Sequence, residues 1–85
     1  THGTDTMTET AKVLDREAPG KTIVLTGALS PARFADTDAP FNLGMAFATA
    51  QIAPARVWIA MSGQVFDGVK VRKDREAGKF VAVEG

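Results

Sequence analysis

The chain has 85 residues, 45% of them hydrophobic, and its ten basic and ten acidic side chains leave a formal net charge of zero. That length allows one compact domain at most, and the charge balance argues against a nucleic-acid binder, which carries a basic excess on one face. With no cysteine, disulfide frameworks, cysteine nucleophiles and thiolate zinc sites are excluded, which fits a reducing compartment such as the cytoplasm, and the longest uncharged run, Ala39 to Ala55, is too short and too polar to span a bilayer.

Thr6-Met7-Thr8-Glu9 is a capping-box pattern. Behind it Met7, Ala11, Leu14 and Ala18 recur at helical spacing, so a helix is expected from there to the stop at Pro19-Gly20. The β-branched run Thr22-Ile23-Val24-Leu25-Thr26 reads as a strand buried on both faces and ended by Gly27. After a loop from Ala28 to Thr37, Asp38 is expected to cap a second helix with Pro40 in its first turn, where proline is tolerated, and Pro54 ends it. Leu43, Ala46, Phe47 and Ala50 form one apolar stripe of that helix, and Phe41, Met45, Ala48 and Ile52 form another. A helix apolar nearly all round is covered on both sides. One cover is the sheet, and the other is expected to be a second copy in a homo-oligomer, with Phe41 or Met45 at or near the contact.

Val57-Trp58-Ile59-Ala60-Met61 is a second buried-strand run. Strand, helix, strand at this spacing predicts a right-handed βαβ crossover in a parallel sheet, hence an α/β fold. Gln64-Val65-Phe66 reads as a short strand turned by Asp67-Gly68, and Lys70 to Lys79 as a solvated charged stretch before Phe80-Val81-Ala82-Val83. Trp58 and the Phe41–Phe47 pair are expected in the core, and His2, a lone histidine without ligand spacing, is expected to be structural.

Parallel sheets bind ligands beyond the carboxyl ends of their strands. Gly27-Ala28 and Ser62-Gly63 lie at such ends, and Thr1-His2-Gly3-Thr4-Asp5 stands before a helix, where a further strand would deliver its own. Residues 1–85 are therefore expected to be part of one domain whose upstream strand is supplied by a preceding segment. By position alone, Thr4 and Asp5 suit helix capping.

The string His2-Gly3-Thr4-Asp5-Thr6-Met7, with Glu9-Thr10-Ala11, resembles the second active-site signature of the bacterial-type asparaginases. The likeness continues through Val24-Leu25-Thr26-Gly27-Ala28, Asp38-Ala39-Pro40-Phe41-Asn42-Leu43, Ile59-Ala60-Met61 with Gly63 and Val65-Phe66-Asp67, and Lys73, and is closest to single-domain members. The resemblance implies a flavodoxin-like, three-layer domain of the asparaginase N-terminal type. It also implies hydrolysis of L-asparagine, or of L-glutamine, through an acyl-enzyme on threonine, without metal or organic cofactor. A threonine hydroxyl needs a base for its proton and donors for the oxyanion.

By the same resemblance Thr4, Lys73 and Asp5 are catalytic. Thr4 would relay a proton or position the attacking water, Lys73, partly desolvated, would tune it, and Asp5 would hold the substrate α-ammonium group. Gly3, Thr4, Asp5 and Ala28 would line the substrate pocket, with the Thr4 amide as an oxyanion donor. The family's Thr-Gly-Gly-Thr nucleophile motif and its following tyrosine have no match in the chain, nor does the serine-bearing loop that grips the substrate carboxylate. Ser30-Pro31 departs from the arginine-proline pair often found there. Activity of this chain alone is therefore not expected. Two other classes share features with the sequence. An N-terminal-nucleophile hydrolase would use Thr1 but has antiparallel sheets, against the βαβ pattern. A non-catalytic binding or scaffold piece would lack the upstream nucleophile motif altogether.

Overall fold

The structure is a computed structural model, and it describes residues 1–29 and 37–83. Its elements are α1 (Met7–Glu17), β1 (Ile23–Thr26), α2 (Ala39–Ile52), β2 (Val57–Met61), β3 (Gln64–Asp67), β4 (Val71–Asp74) and β5 (Lys79–Ala82). β1 and β2 pair in parallel, Ile23 opposite Val57, with α2 as the connection, and β3 adds antiparallel to β2. β4 and β5 form a separate antiparallel pair. The fold is thus mixed α/β with a parallel portion.

Met7 and Ala11 of α1 are fully buried, with Leu14 packed behind them, as the helical spacing predicts. They meet Val57, Ile59 and Met61 of β2, Phe66 of β3, Val71 of β4 and Phe80 of β5 in one apolar cluster. Each fully buried side chain of this size contributes about 1.5–3 kcal/mol. Ile23 and Leu25 pack against the same cluster, whereas Val24 and Thr26 line a recess with Leu43, Ala46 and Ala50 of α2. Alternation along β1 therefore sends successive side chains toward different helices.

Several expectations need correction. The capping box does not form: Thr6 is the N-cap of α1 but its side chain makes no cap bond, because its φ of −117° and ψ of 9° lie outside the extended region a capping side chain needs. Asp38 precedes α2 in a helical conformation and likewise caps no helix N–H. Its Oδ2 instead accepts the Leu29 amide at 3.1 Å and Asn42 Nδ2 at 2.8 Å, while Thr37 Oγ1 takes the Ala39 amide.

β1 is half-buried along Ile23–Leu25, not buried throughout, since β2 is its one pairing partner among the described residues. The inner face of α2 is also not an apolar stripe. Asn42, Ala46 and Thr49 are its buried residues, and of these only Ala46 belongs to a stripe, at the edge of the first. Small side chains let the helix lie close to the sheet, which leaves Phe41 63%, Phe47 69% and Ile52 83% exposed. The Phe41–Phe47 pair is therefore not core. Trp58 is half-buried, with its indole N–H donating to the Pro54 carbonyl.

The stretch expected to be a solvated charged turn is the β4–β5 hairpin. Val71 and Phe80 anchor it in the core, and Gly78 turns it with a φ of 65°. Most of the loop expected between Ala28 and Thr37, including the Ser30-Pro31 departure, lies outside the described residues.

Candidate active site

Residues 1–6 cross the carboxyl end of β1 before entering α1. The His2 amide donates to the Thr26 carbonyl at 2.8 Å, and Gly27 makes the crossing possible, since a Cβ there would collide with the His2 carbonyl. The His2 ring ties this segment down. Thr10 Oγ1 on α1 lies 2.9 Å from Nε2, and Nδ1 lies 2.6 Å from the Gly3 carbonyl. A carbonyl can only accept, so Nδ1 donates to Gly3, and in the neutral ring Nε2 is then the acceptor for Thr10. His2 is structural, as its isolation in the sequence implies.

Thr4 and Asp5 are thereby held at the start of α1, facing β4. Along β4, Val71 is buried, Arg72 is exposed and Lys73 turns back to the inner side. Lys73 is 18% exposed at its side chain, and its Nζ donates to Thr4 Oγ1 at 2.8 Å and to Asp5 Oδ1 at 2.8 Å. The structure brings together the three residues expected to act as a set.

Arg75 adds a second cation 3.6 Å from the same Asp5 oxygen. The hydrogen bond and charge of Lys73, with the charge of Arg75 behind them, hold the Asp5 carboxyl below its usual range. Asp5 remains 67% exposed at its side chain, so it can still meet a cationic ligand. A lysine between a hydroxyl and a carboxylate is an arrangement able to pass a proton to or from the hydroxyl.

Gly3 and Ala28 are placed differently. They line an open hollow of about 750 Å³ with His2, Gly27, Pro40 and Leu43, and Thr4, Asp5 and Lys73 do not border it. Hollow and polar cluster adjoin through the Gly3–Thr4 peptide. Among the described residues, no group of three or more His, Asp or Glu side chains is placed to hold a metal ion.

Two positioning features carried no role in the sequence-level assignment. Asn42, 1% exposed, donates from Nδ2 to the Gly27 carbonyl at 2.9 Å, which fixes α2 against the end of β1. A lone amide inside an apolar helix was the signal available for it. Arg75 had no signal that set it apart from the neighbouring charges.

The "Asparaginase, N-terminal" family model matches residues 1–82. L-asparaginase 2 of Escherichia coli (strain K12) is 43% identical over 77 residues, which cover 86% of this chain and 22% of that protein. The probable periplasmic L-asparaginase of Haemophilus influenzae is 40% identical over 77 residues, with the same coverage. Among solved structures, a probable cytoplasmic L-asparaginase from Campylobacter jejuni superposes with a TM-score of 0.82 at 32% identity, covering 95% of this chain and 27% of that one. The chain thus spans about a quarter of the length of these relatives. With the family model covering nearly all of it, the chain belongs to the asparaginase family, within that family's N-terminal domain.

Proposed function

We propose that the chain is part of an amidohydrolase that converts L-asparagine to L-aspartate and ammonia, with L-glutamine as the alternative amide. The observation that carries this reading is the bonding of one lysine, Lys73, to both Thr4 and Asp5. The first nucleophile is a threonine of an upstream Thr-Gly-Gly-Thr segment, which attacks the side-chain carbonyl and expels ammonia to form an acyl-enzyme. Water then cleaves that ester. Thr4 positions the water or relays its proton, and Lys73 tunes the Thr4 hydroxyl, either as its hydrogen-bond partner in the ammonium form or, once deprotonated to the neutral amine, as the base that takes the hydroxyl proton and returns it. Asp5, exposed and held anionic, receives the α-ammonium group of the substrate. The Thr4 amide stabilises the oxyanion, and Gly3 and Ala28 shape the wall beside it.

In this reading residues 1–85 are a portion of a flavodoxin-like, three-layer domain with a right-handed β1–α2–β2 crossover. The exposed phenylalanines of α2 support assembly as a homo-oligomer. The proposed location is the cytoplasm, by analogy with the Campylobacter protein's name, although the Haemophilus protein is named as periplasmic. Ammonia release tests the proposal. The intact protein is expected to hydrolyse asparagine and to lose turnover with Lys73→Ala, and the isolated chain is expected to stay at the buffer blank. Full turnover by the isolated chain, or by the Lys73→Ala protein, overturns it.

A further inference from the structure

Ser62 and Gly63 form the two-residue turn between β2 and β3, with φ values of 56° and 72°. Among the described residues Ser62 is the one non-glycine residue in this left-handed region. Glycine, asparagine or aspartate suits such a turn, because a Cβ crowds the following carbonyl. A serine held there points to something its hydroxyl does.

That hydroxyl accepts the backbone N–H of Phe80 at 3.1 Å. Phe80 is the cross-strand partner of Lys73. The Val83 amide bonds the Lys70 carbonyl, and in an antiparallel ladder bonded and non-bonded pairs alternate. Counting back in register, Lys73–Phe80 is a non-bonded pair. The Phe80 amide therefore points away from β4, toward Ser62, and the two side chains stand at the closest cross-strand spacing. The Phe80 ring is 2% exposed and packs in the core. Ser62 is thus the polar tie between the β2–β3 turn and the hairpin that carries the lysine.

We infer that Ser62 is a positioning residue for Lys73: its hydroxyl anchors β5, and through the Lys73–Phe80 pair it fixes where Nζ stands relative to Thr4. The inference rests on the proposed role of Lys73 in hydrolysis. In the intact protein, Ser62→Gly removes the hydroxyl while relaxing the turn, so the fold is retained. A displaced catalytic group lowers turnover, so kcat is expected to fall roughly tenfold to a hundredfold with little change in KM. Ser62→Asn tolerates the left-handed turn and keeps an oxygen for the Phe80 amide, so it is expected to restore most of kcat. Unchanged kcat in Ser62→Gly, alongside a Lys73→Ala variant that has lost turnover, overturns the positioning role and leaves the proposed hydrolysis standing. Equal losses in Ser62→Gly and Ser62→Asn overturn it as well. Unchanged turnover in Lys73→Ala brings down both.

Discussion

Lys73 Nζ and Thr4 Oγ1 stand 2.8 Å apart although 69 positions separate them in the chain. The lysine reaches the hydroxyl from a hairpin and the threonine is presented by the lead-in to a helix, so each depends on the other's element being in place. Groups that act as a unit are non-additive when removed. In the intact protein, Thr4→Ala and Lys73→Ala are each expected to cost kcat/KM about 4 kcal/mol, roughly a thousandfold, and the double variant is expected to be little worse than either single. Losses that multiply in the double variant, measured by steady-state ammonia release, would mean the two residues act separately.

Asp5 has a different signature. Lys73 and Arg75 lower its folded pKa relative to the unfolded chain, so its contribution to stability is full above the ordinary carboxylate value of about 4 and is lost as pH falls through the lowered folded value. Asp5→Asn removes that dependence. Denaturant midpoints of the two proteins are expected to differ near neutral pH and to converge under acid. A gap that is constant with pH would show that the pair adds nothing electrostatic. In the intact protein Asp5→Ala is further expected to raise KM for asparagine more than it lowers kcat, because the contact proposed for Asp5 is with the ammonium group.

Gly27 is the tightest point of the site's backbone. A methyl group there meets the His2 carbonyl and the Met7 side chain, so Gly27→Ala must push residues 1–3 off the end of β1. A loss of about 1–3 kcal/mol is expected, in line with other overpacking changes, together with loss of turnover in the intact protein. Stability within experimental error of the parent, measured by urea unfolding, would show that the crossing segment yields freely.

For α2, exposure separates two roles. Ile52 and Phe41 face solvent, so Ile52→Glu or Phe41→Glu is expected to change the unfolding free energy by no more than about 0.5 kcal/mol and to shift the intact protein toward smaller species in sedimentation. Met45 is partly buried, which makes it a poorer probe of assembly than either. An unchanged sedimentation coefficient in both variants would exclude this face from any subunit contact.

The helix–strand–helix–strand order was legible because each element has one dominant periodicity. Met7 and Ala11 repeat at the helical period, and Val57 to Met61 form an unbroken apolar run. β4 was not legible. Val71-Arg72-Lys73-Asp74 alternates inward and outward, but three of its four side chains are charged, and this hid the period behind what looked like a solvated turn. The same concealment kept Lys73 from being told apart from Lys70 and Arg72 by pattern. Only the pairing with β5, with Phe80 opposite Lys73, gives it a direction. In α2 hydrophobicity misled for the opposite reason. Close helix–sheet approach favours small residues over large ones, so the buried side passes through Asn42 and Thr49 rather than through phenylalanine. The Thr4–Asp5 part of the site could be read from its motif, whereas the contribution of Ser62 needed a backbone angle that no motif records.

The long span between Thr4 and Lys73 also sets an order of events during synthesis. A ribosome delivers residues at roughly 5–20 per second, N-terminal segments first. Thr4 and Asp5 therefore leave the exit tunnel seconds before the strand that carries their lysine. In the interval β1, β2 and β3 can pair, because those pairings lie within residues already made, while Val71 and Phe80 are still to complete the core and the Ser62 bond. Closing the cluster is the late step, a loop closure completed once Phe80 has docked. A nascent polypeptide stalled before that point carries both signature residues without the lysine that bonds them together.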